Sequence, residues 1–559
     1  MSQMLKSSGA MGAATLASRL LGMLREILYA RFMGDGPVAA AFKLAFMIPN
    51  LFRRLLGEGA LTAAFIPIFK EKERTAGEEE MWRSANAVLS ALVIAASGVI
   101  AIVLIGISAL LAFDTPEVIG GIAGAGDQIS ALINSAPKVS ASRWFSAETR
   151  LMLELLRVMF PYMLMVCMAA TFMGMLNARG HFFVPALGAT VLNGTLIVAV
   201  LLIAPRYGET LEDQIFALAF AVLVAGFAQA LYQLPMLWRE GFRFRWISPF
   251  RNETVRLVGR KMIPGMMGVA AFQLNVVLTQ GIAWMVNPQI VASFDYAVRL
   301  MEFPQGIIGI SLATFLLPTL SGLAAEKRYP EFRETLREAA GYLVFANLIA
   351  SVLLIVLAEP IVRLLFEGGA FTPFATRRAA FALACLAPGL IAFSAVNILA
   401  RAFYALGDTR TPMIISSFCL SVNVVLVLWL VGFLAQGGLG LANTASSVLN
   451  VSLLLFALRK KLKFLGLSGI GQELWPMVAA GVLAGAGAWG ASMTWESWIG
   501  HGTVLRRIGA VFGPALLAGG LYGAFSLWRG VPQAQAFLDM VQDRFRKSDP
   551  PEDTSEDDD

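Results

Sequence analysis

The sequence predicts an all-α polytopic membrane protein: fourteen transmembrane helices, in two six-helix lobes plus a C-terminal helix pair. Three observations carry that prediction. The 559 residues are 57% hydrophobic and only 15% charged, where soluble domains run at about 45–50% apolar and about 25% charged. Fourteen apolar stretches of about 20 residues follow one another, each long enough to cross the hydrocarbon core. The chain also repeats itself across its two halves.

The spans fall at 9–33, 38–69, 85–113, 151–177, 183–204, 213–238, 262–286, 290–320, 337–358, 376–405, 411–434, 437–458, 473–494 and 505–528. The first is not a cleavable signal, because Arg19, Arg25 and Glu26 interrupt it and no small-residue cleavage site follows. The second, eighth and tenth are long and contain prolines, so they are expected to bend or tilt. Between spans 3 and 4 the loop 114–150, with "GGIAGAGDQ" and "SAPKVSAS", reads as a flexible excursion. The loops "KEKERTAGEEEMWR", "WREGFRFRWISPFRNETVRLVGRK", "EKRYPEFRETLRE" and "RKKLK" all lie on one side of the membrane under this count. With two short turns they hold roughly 21 Lys and Arg, against roughly 8 on the opposite side, which makes that side and both termini cytoplasmic. The net charge of +6 therefore speaks to orientation rather than to nucleic acid.

Two passages set the domain plan. Pro161 to Pro185, through "PYMLMVCMAATFMGMLNARGHFFVP", spans 24 residues, and so does Pro388 to Pro412, through "PGLIAFSAVNILARAFYALGDTRTP". Each ends a span with a turn holding Gly and Arg, and each following span has an internal Asn, Asn193 or Asn423. A second echo pairs "FMIPNLFRRLLGEGALTAAFIPIF" with "MEFPQGIIGISLATFLLPTL". A repeat of six spans keeps its orientation and gives two parallel lobes, with substrate sites between them near the midplane. The expected domains are an N-terminal lobe 1–240, a C-terminal lobe 241–460, the helix pair 461–530 and a disordered acidic tail 531–559.

Charge inside the spans is the functional signal. Span 1 holds Arg19, Arg25 and Glu26; span 2 holds Lys43, Arg53, Arg54 and Glu58; span 8 holds Arg299 and Glu302. An arginine or lysine at the centre of a membrane helix costs roughly 2.5–3.5 kcal/mol. Four such cations in lipid would cost about as much as a fold's whole stability of roughly 5–15 kcal/mol, so they face one another, water or a polar ligand. Lys43, Asn50, Arg54 and Glu58 fall within about 60° of one another on a helix, and Pro49 bends that helix just before its arginines. An internal ion-pair network would account for Arg54 with Glu58 and Arg299 with Glu302, and Arg25 or Lys43 could snorkel to an interface. Six cations against three carboxylates nevertheless leave an excess of positive charge. Arginine's planar donor fork suits phosphate or carboxylate oxygens, so the substrate is expected to be anionic.

Other chemistry is thinly represented. Cys167, Cys385 and Cys419 lie in apolar runs without ligand spacing, so neither a disulfide framework nor a metal site is expected. His181 and His501 each stand near a span end. "GAGAWG" at 485–490 fits G-x-G-x-x-G but lies inside span 13, where small-residue helix packing accounts for it. Asp295 and Glu359 read as span-end residues. No hydrolase, metalloprotease or nucleotide-binding signature is present, and no enzyme activity is expected.

The stretches "SRLLGMLRE" (18–26), "IPNLFRRLLGEGALTAAFIPIF" (48–69) and "RLMEFPQGIIGISLATFLLPTLS" (299–321), supported by "FPYML", "YQLP" and "FYALGDTRTP", resemble the MurJ/MviN family, the lipid II flippases of the MOP exporter superfamily. The resemblance runs from about residue 5 to about residue 530. It implies fourteen spans, two lobes around a cationic cavity with alternating access, and an apolar groove at the last two helices for a polyprenyl tail. It also implies that Arg19, Arg25, Arg53 and Arg299 bind substrate. Glu26, Lys43, Arg54, Glu58 and Glu302 are the supporting cavity charges. The chain departs from the family pattern at Ala40, where an Asp is common, and at Met47, where a Lys is common. Lys43, one turn earlier than Met47, could stand in for that Lys.

The implied function is transfer of undecaprenyl-pyrophosphate-linked peptidoglycan precursor across the bacterial inner membrane for cell-wall biogenesis. Lipid II and membrane lipids are the expected partners, with cell-wall synthesis proteins as partner candidates and no nucleic acid. No cofactor is expected; the membrane potential or a monovalent ion could drive the cycle. Two alternatives stand beside this reading: a MOP-type exporter of another anionic glycolipid or amphipathic drug, and a non-transporting scaffold for cell-wall enzymes.

Overall fold

The computed structural model describes residues 2–57, 60–112, 146–306, 311–463 and 470–546. Among these the regular elements are helices, with a single isolated bridge between Gly368 and Phe371. In chain order the α-helices are α1 (Ser2–Met33), α2 (Pro37–Phe52), α3 (Ala60–Ala112), α4 (Ala147–Met159), α5 (Tyr162–Ala178), α6 (Phe183–Val198), α7 (Leu211–Leu231), α8 (Leu234–Arg239), α9 (Glu253–Val286) and α10 (Pro288–Pro304). They continue with α11 (Ser311–Ala325), α12 (Tyr329–Val356), α13 (Ala358–Leu365), α14 (Pro373–Leu386), α15 (Leu390–Ala405), α16 (Arg410–Leu434), α17 (Gln436–Leu462), α18 (Ile470–Trp498), α19 (Val504–Trp528) and α20 (Pro532–Arg546). Among the described residues nine helices or continuous helix runs are long and apolar enough to cross a bilayer, or ten if α4 and α5, bent by 43°, form one span.

Two of the three long proline-bearing spans contain irregular turns among the described residues. In the second, α2 carries Pro49 and gives way to a π-helical turn at Arg53–Gly57 before α3 begins. Proline removes the backbone donor that an α-helix needs at that position, and a widened turn is one way to absorb the loss. The eighth includes α10, through Pro304, and α11, with residues 307–310 between them outside the described residues. The tenth divides into α14 and α15 around a 3-10 turn at Ala387–Gly389 that contains Pro388. Gly77, at φ 84°, turns the chain sharply inside α3, in a conformation that costs glycine no Cβ clash. Loop 114–150 lies outside the described residues, except that its last residues already begin α4.

The helices form two compact units, Met1–Arg299 with Leu365–Ala382 and Leu420–Ala442, and Leu300–Leu364 with Leu383–Cys419 and Asn443–Asp559. In the first unit α1 packs on α6, α2 on α4, α5 between α3 and α7, and α9 on α3. Tyr162, almost wholly buried, lies 5.7 Å from the Phe46 ring at a 42° tilt and against Gly226 of α7. In the second unit α12 packs against α11, α15 and α18, and α18 pairs with α19. Leu316, Leu320, Phe332, Leu343, Phe403 and Leu454 form its buried centre. The "GAGAWG" stretch lies in α18, where buried Ala484 and Ala488 flank the contact and a Cβ on Gly487 would meet Leu521 at 2.4 Å. Such small residues let helix backbones approach closely.

One expectation is corrected. The chain does not lose its structure at 531: α20 runs from Pro532 to Arg546, with Val531 and Ala534 buried beside Met477. Pro532 presets the first helical turn, and these apolar contacts anchor the segment. The acidic residues after Arg546 lie outside the described residues.

Each unit also carries a polar clasp between two turns. In the first, Arg179, after α5, pairs with Glu73 and with Glu78 and Glu240, the last two at 2.8 Å, while His181 Nε2 lies 2.8 Å from Glu240. In the second, Asp408, after α15, accepts from Lys461 at 2.7 Å and from Thr411.

Two predictions follow from packing and from the second clasp. A side chain on Gly226 would meet the Tyr162 ring at 2.7 Å, so Gly226→Leu should destabilise by about 1–3 kcal/mol. Gly523→Ala, with open space around it, should be nearly neutral; thermal unfolding in detergent measures both. The hydrogen bond from Lys461 holds the Asp408 carboxyl down at about 2. A depressed carboxyl stabilises fully above its unfolded value of about 4 and loses that contribution as pH falls towards the folded value. The gap in melting temperature between the wild type and Asp408→Asn should therefore narrow between pH 5 and pH 2.5, as measured by scanning fluorimetry.

Candidate anion site

The charges of α1, α2 and α10 meet within the first unit as a chain of alternating sign. Arg25 donates from Nη2 to Glu26 Oε1 at 2.5 Å and from Nη1 to Asn193 Oδ1 at 3.0 Å. The second oxygen of Glu26 lies 3.6 Å from Lys43 Nζ. Lys43 donates to Asp295 Oδ2 at 2.6 Å and sits 3.3 Å from the centre of the Tyr296 ring. Asp295 Oδ1 in turn lies 3.6 Å from Arg299 Nη2. The order is Arg25, Glu26, Lys43, Asp295, Arg299: three cations, two carboxylates, and a cation at each end. Glu26 is only 5% exposed, and it also feels the charge of Arg299.

Local sequence explains the convergence. Asp295 and Arg299 stand four apart on α10 and so share a face. Asn193 uses its amide twice, accepting from Arg25 and donating to the Ser18 carbonyl at 3.3 Å, which ties α6 to two levels of α1. Next to Ser18, Arg19 is half-buried and makes no side-chain bond among the described residues. Arg53 and Arg54 sit in the π-helical turn after Pro49, with Arg53 Nε donating to Asn50 Oδ1 at 3.1 Å. Glu302 is exposed on α10, and Glu58 lies outside the described residues.

A second ionic contact adjoins this chain. Asp35, in the turn between α1 and α2, is buried and receives two bonds from Arg378, at 2.8 and 2.7 Å, and one from the Ser293 hydroxyl at 2.9 Å. Tyr296 donates to the Gly34 carbonyl at 2.9 Å, and the Ala370 amide to the Arg31 carbonyl at 2.8 Å. Gly34 has φ 65°, and a Cβ there would meet the Ala370 carbonyl at 2.6 Å, so this turn admits only glycine.

The structure thus brings Arg25, Glu26, Lys43 and Arg299 together and adds Asp295 and Asn193. Asp295 reads as a span-end residue in the sequence; its spacing four before Arg299 is the signal that places it. Asp35 and Arg378 have no such signal, being 343 residues apart. Among the described residues no group of three or more His, Cys, Asp or Glu is placed to hold a metal. What the arrangement can do is exchange anions. A phosphate arriving at Arg25 or Arg299 could take over the donor fork that a carboxylate now occupies.

Lys43 is the middle of the chain, and removing one partner of a buried pair leaves an uncompensated charge. Lys43→Met should cost about 3–5 kcal/mol. The double variant Lys43→Met with Asp295→Asn should recover part of that loss, with a coupling of about 0.5–3 kcal/mol. Unfolding of the four proteins in detergent measures it; strict additivity would mean the contact carries no energy.

A family model described as lipid II flippase MurJ matches residues 29–508. A probable lipid II flippase MurJ of Rhizobium meliloti (strain 1021) is 32% identical, over 81% of this chain and 80% of its own length. That of Vibrio cholerae serotype O1 is 30% identical, over 89% and 91%. Among solved structures, a lipid II flippase MurJ in an inward closed conformation superposes with a TM-score of 0.68 at 21% identity, covering 92% of this chain and 98% of that one. An inward-facing multidrug resistance MATE transporter of the MOP superfamily superposes with a TM-score of 0.65 at 16% identity, over 81% and 96%. Those two superpositions speak to fold alone.

Proposed function

The chain belongs to the lipid II flippase MurJ family, and on that premise we propose that it moves lipid II from the inner to the outer leaflet of the bacterial cytoplasmic membrane. It is a transporter and not an enzyme, so no bond is made or broken. The observation that carries the reading is the alternating chain of cations and carboxylates from Arg25 to Arg299.

In the proposed cycle Arg19, Arg25, Arg53 and Arg299 bind the pyrophosphate or the peptide carboxylates of the precursor. Glu26 and Asp295 hold the cations apart until the substrate replaces them, and Lys43 passes the change from α1 to α10. Lys43 with Asp295, and Asp35 with Arg378, join residues far apart in sequence within the first unit. Exchange of their partners opens one face of the membrane and closes the other.

The same reading takes the chain as fourteen spans with both termini cytoplasmic. The turn at Gly77 separates α3 into two rods. The charged α1 and α9, and the broken pairs α2 with the first rod of α3 and α10 with α11, supply the spans beyond the plainly apolar ones. The basic loops supply the orientation.

The test uses cells depleted of their own flippase and carrying this protein or Arg53→Ala, with an externally added enzyme that cleaves lipid II. The wild type should expose precursor to the enzyme, and the variant should expose little or none at equal membrane insertion. If neither protein exposes precursor although both insert, the substrate is another anionic glycolipid. Normal growth on Arg299→Ala would remove that arginine from the mechanism.

A further inference from the structure

The segment joining α8 to α9, residues 240–252, is neither a loose loop nor part of the anion site. Residues 242–249 are non-helical and run alongside the start of the apolar rod of α3. Asn86, 3% exposed, acts on them as a strand would: its amide donates to the Arg243 carbonyl at 3.0 Å and accepts from the Arg245 amide at 3.0 Å. Four residues further on, about 6 Å along the helix, Ser90 accepts from the Ile247 amide at 3.3 Å. Phe242 is buried against Trp82 and Phe172. The segment is therefore pinned at three levels of a membrane helix.

What it then displays is unpartnered. Phe244 is 53% exposed, Trp246 57% and Phe250 74%. Arg239, Arg245, Arg251 and Arg256 are exposed and make no side-chain bond among the described residues. Arg243 is held in place by the Trp238 and Phe242 carbonyls at 3.0 and 2.9 Å. Of the nearby acids, Glu240 is already taken by Arg179 and His181, which leaves Glu253. Large aromatic surface pinned at the edge of an apolar helix favours acyl chains, and arginines beside it favour phosphate.

We infer that residues 239–256 form a seat for an acidic phospholipid, with Phe244, Trp246 and Phe250 against its chains and Arg245 and Arg251 on its phosphate. The inference rests on the membrane orientation proposed above but not on which substrate is flipped. A generic basic loop would attract anionic lipid loosely; this one has its backbone fixed beforehand, so the bound lipid orders little else.

The full-length protein in detergent is titrated with phosphatidylglycerol or phosphatidylcholine, and retained lipids are counted by native mass spectrometry. The wild type should retain phosphatidylglycerol preferentially. Arg245→Gln with Arg251→Gln should weaken that retention roughly tenfold, and Arg245→Lys should keep most of it. Trp246→Ser should weaken it with the charges intact. Lys460→Gln with Lys463→Gln, an equal loss of exposed charge elsewhere, should leave it unchanged. Equal losses in the two double variants, or none in the first, would overturn the seat. So would retention that ignores headgroup charge, or a first double variant that loses undecaprenyl pyrophosphate but keeps phosphatidylglycerol. A defect in flipping with lipid retention intact would instead bear on the transport reading alone.

Discussion

A guanidinium in hydrocarbon must find a counter-charge, and the first unit is organised around that requirement. Each carboxylate in the chain from Arg25 to Arg299 sits between two cations, so neither Glu26 nor Asp295 is left without a partner. Desolvating such groups is costly, and a buried ionic network gains little over an apolar core of the same volume. Its retention here makes sense as a device whose pairs can be exchanged. A helix bundle held by Leu and Phe alone would offer an incoming anion nothing to displace.

The backbone obeys a similar accounting. Irregular backbone at membrane depth is tolerated where it is covered by protein or lines a polar cavity. The π-helical turn after Pro49 carries Arg53 and Arg54. Charge and irregular backbone thus travel together in this span. The break at Pro388 carries no such charge and packs instead through Ser351, whose hydroxyl donates to the Ala387 carbonyl at 2.7 Å.

Composition and proline positions made the helical architecture and its irregular turns near Pro49 and Pro388 legible, because span length and a missing amide donor are local properties. The charges within the spans were legible for the same reason, but helical spacing grouped Lys43 with the arginines of its own span, whereas its partners in the fold are Glu26 and Asp295. Partners distant in sequence were not legible. Nothing local distinguishes Asp35 from an ordinary turn residue or predicts Arg378 opposite it, and Asp295 looked like a span end because its partner Lys43 lies 252 residues away. The tail was misread for a related reason. A polar, amphipathic α20 is stabilised by apolar contacts with a neighbouring surface, and those contacts exist only in the folded chain.

The two clasps have a bearing on how the chain reaches its fold. His181 and Asp408 each stand four residues before their proline, at matching places in the repeat. In the first turn Arg179 holds Glu240; in the second the carboxylate of Asp408 holds Lys461. A chain with duplicated halves risks assembling a helix from one half into the vacant place in the other while synthesis is still under way. With the signs reversed, such a swap would set Glu240 against Asp408 and Lys461 against Arg179, and like charges would push the intruder out. The two turns thus differ in the sign of the group that holds them, so neither would find its partner at the other.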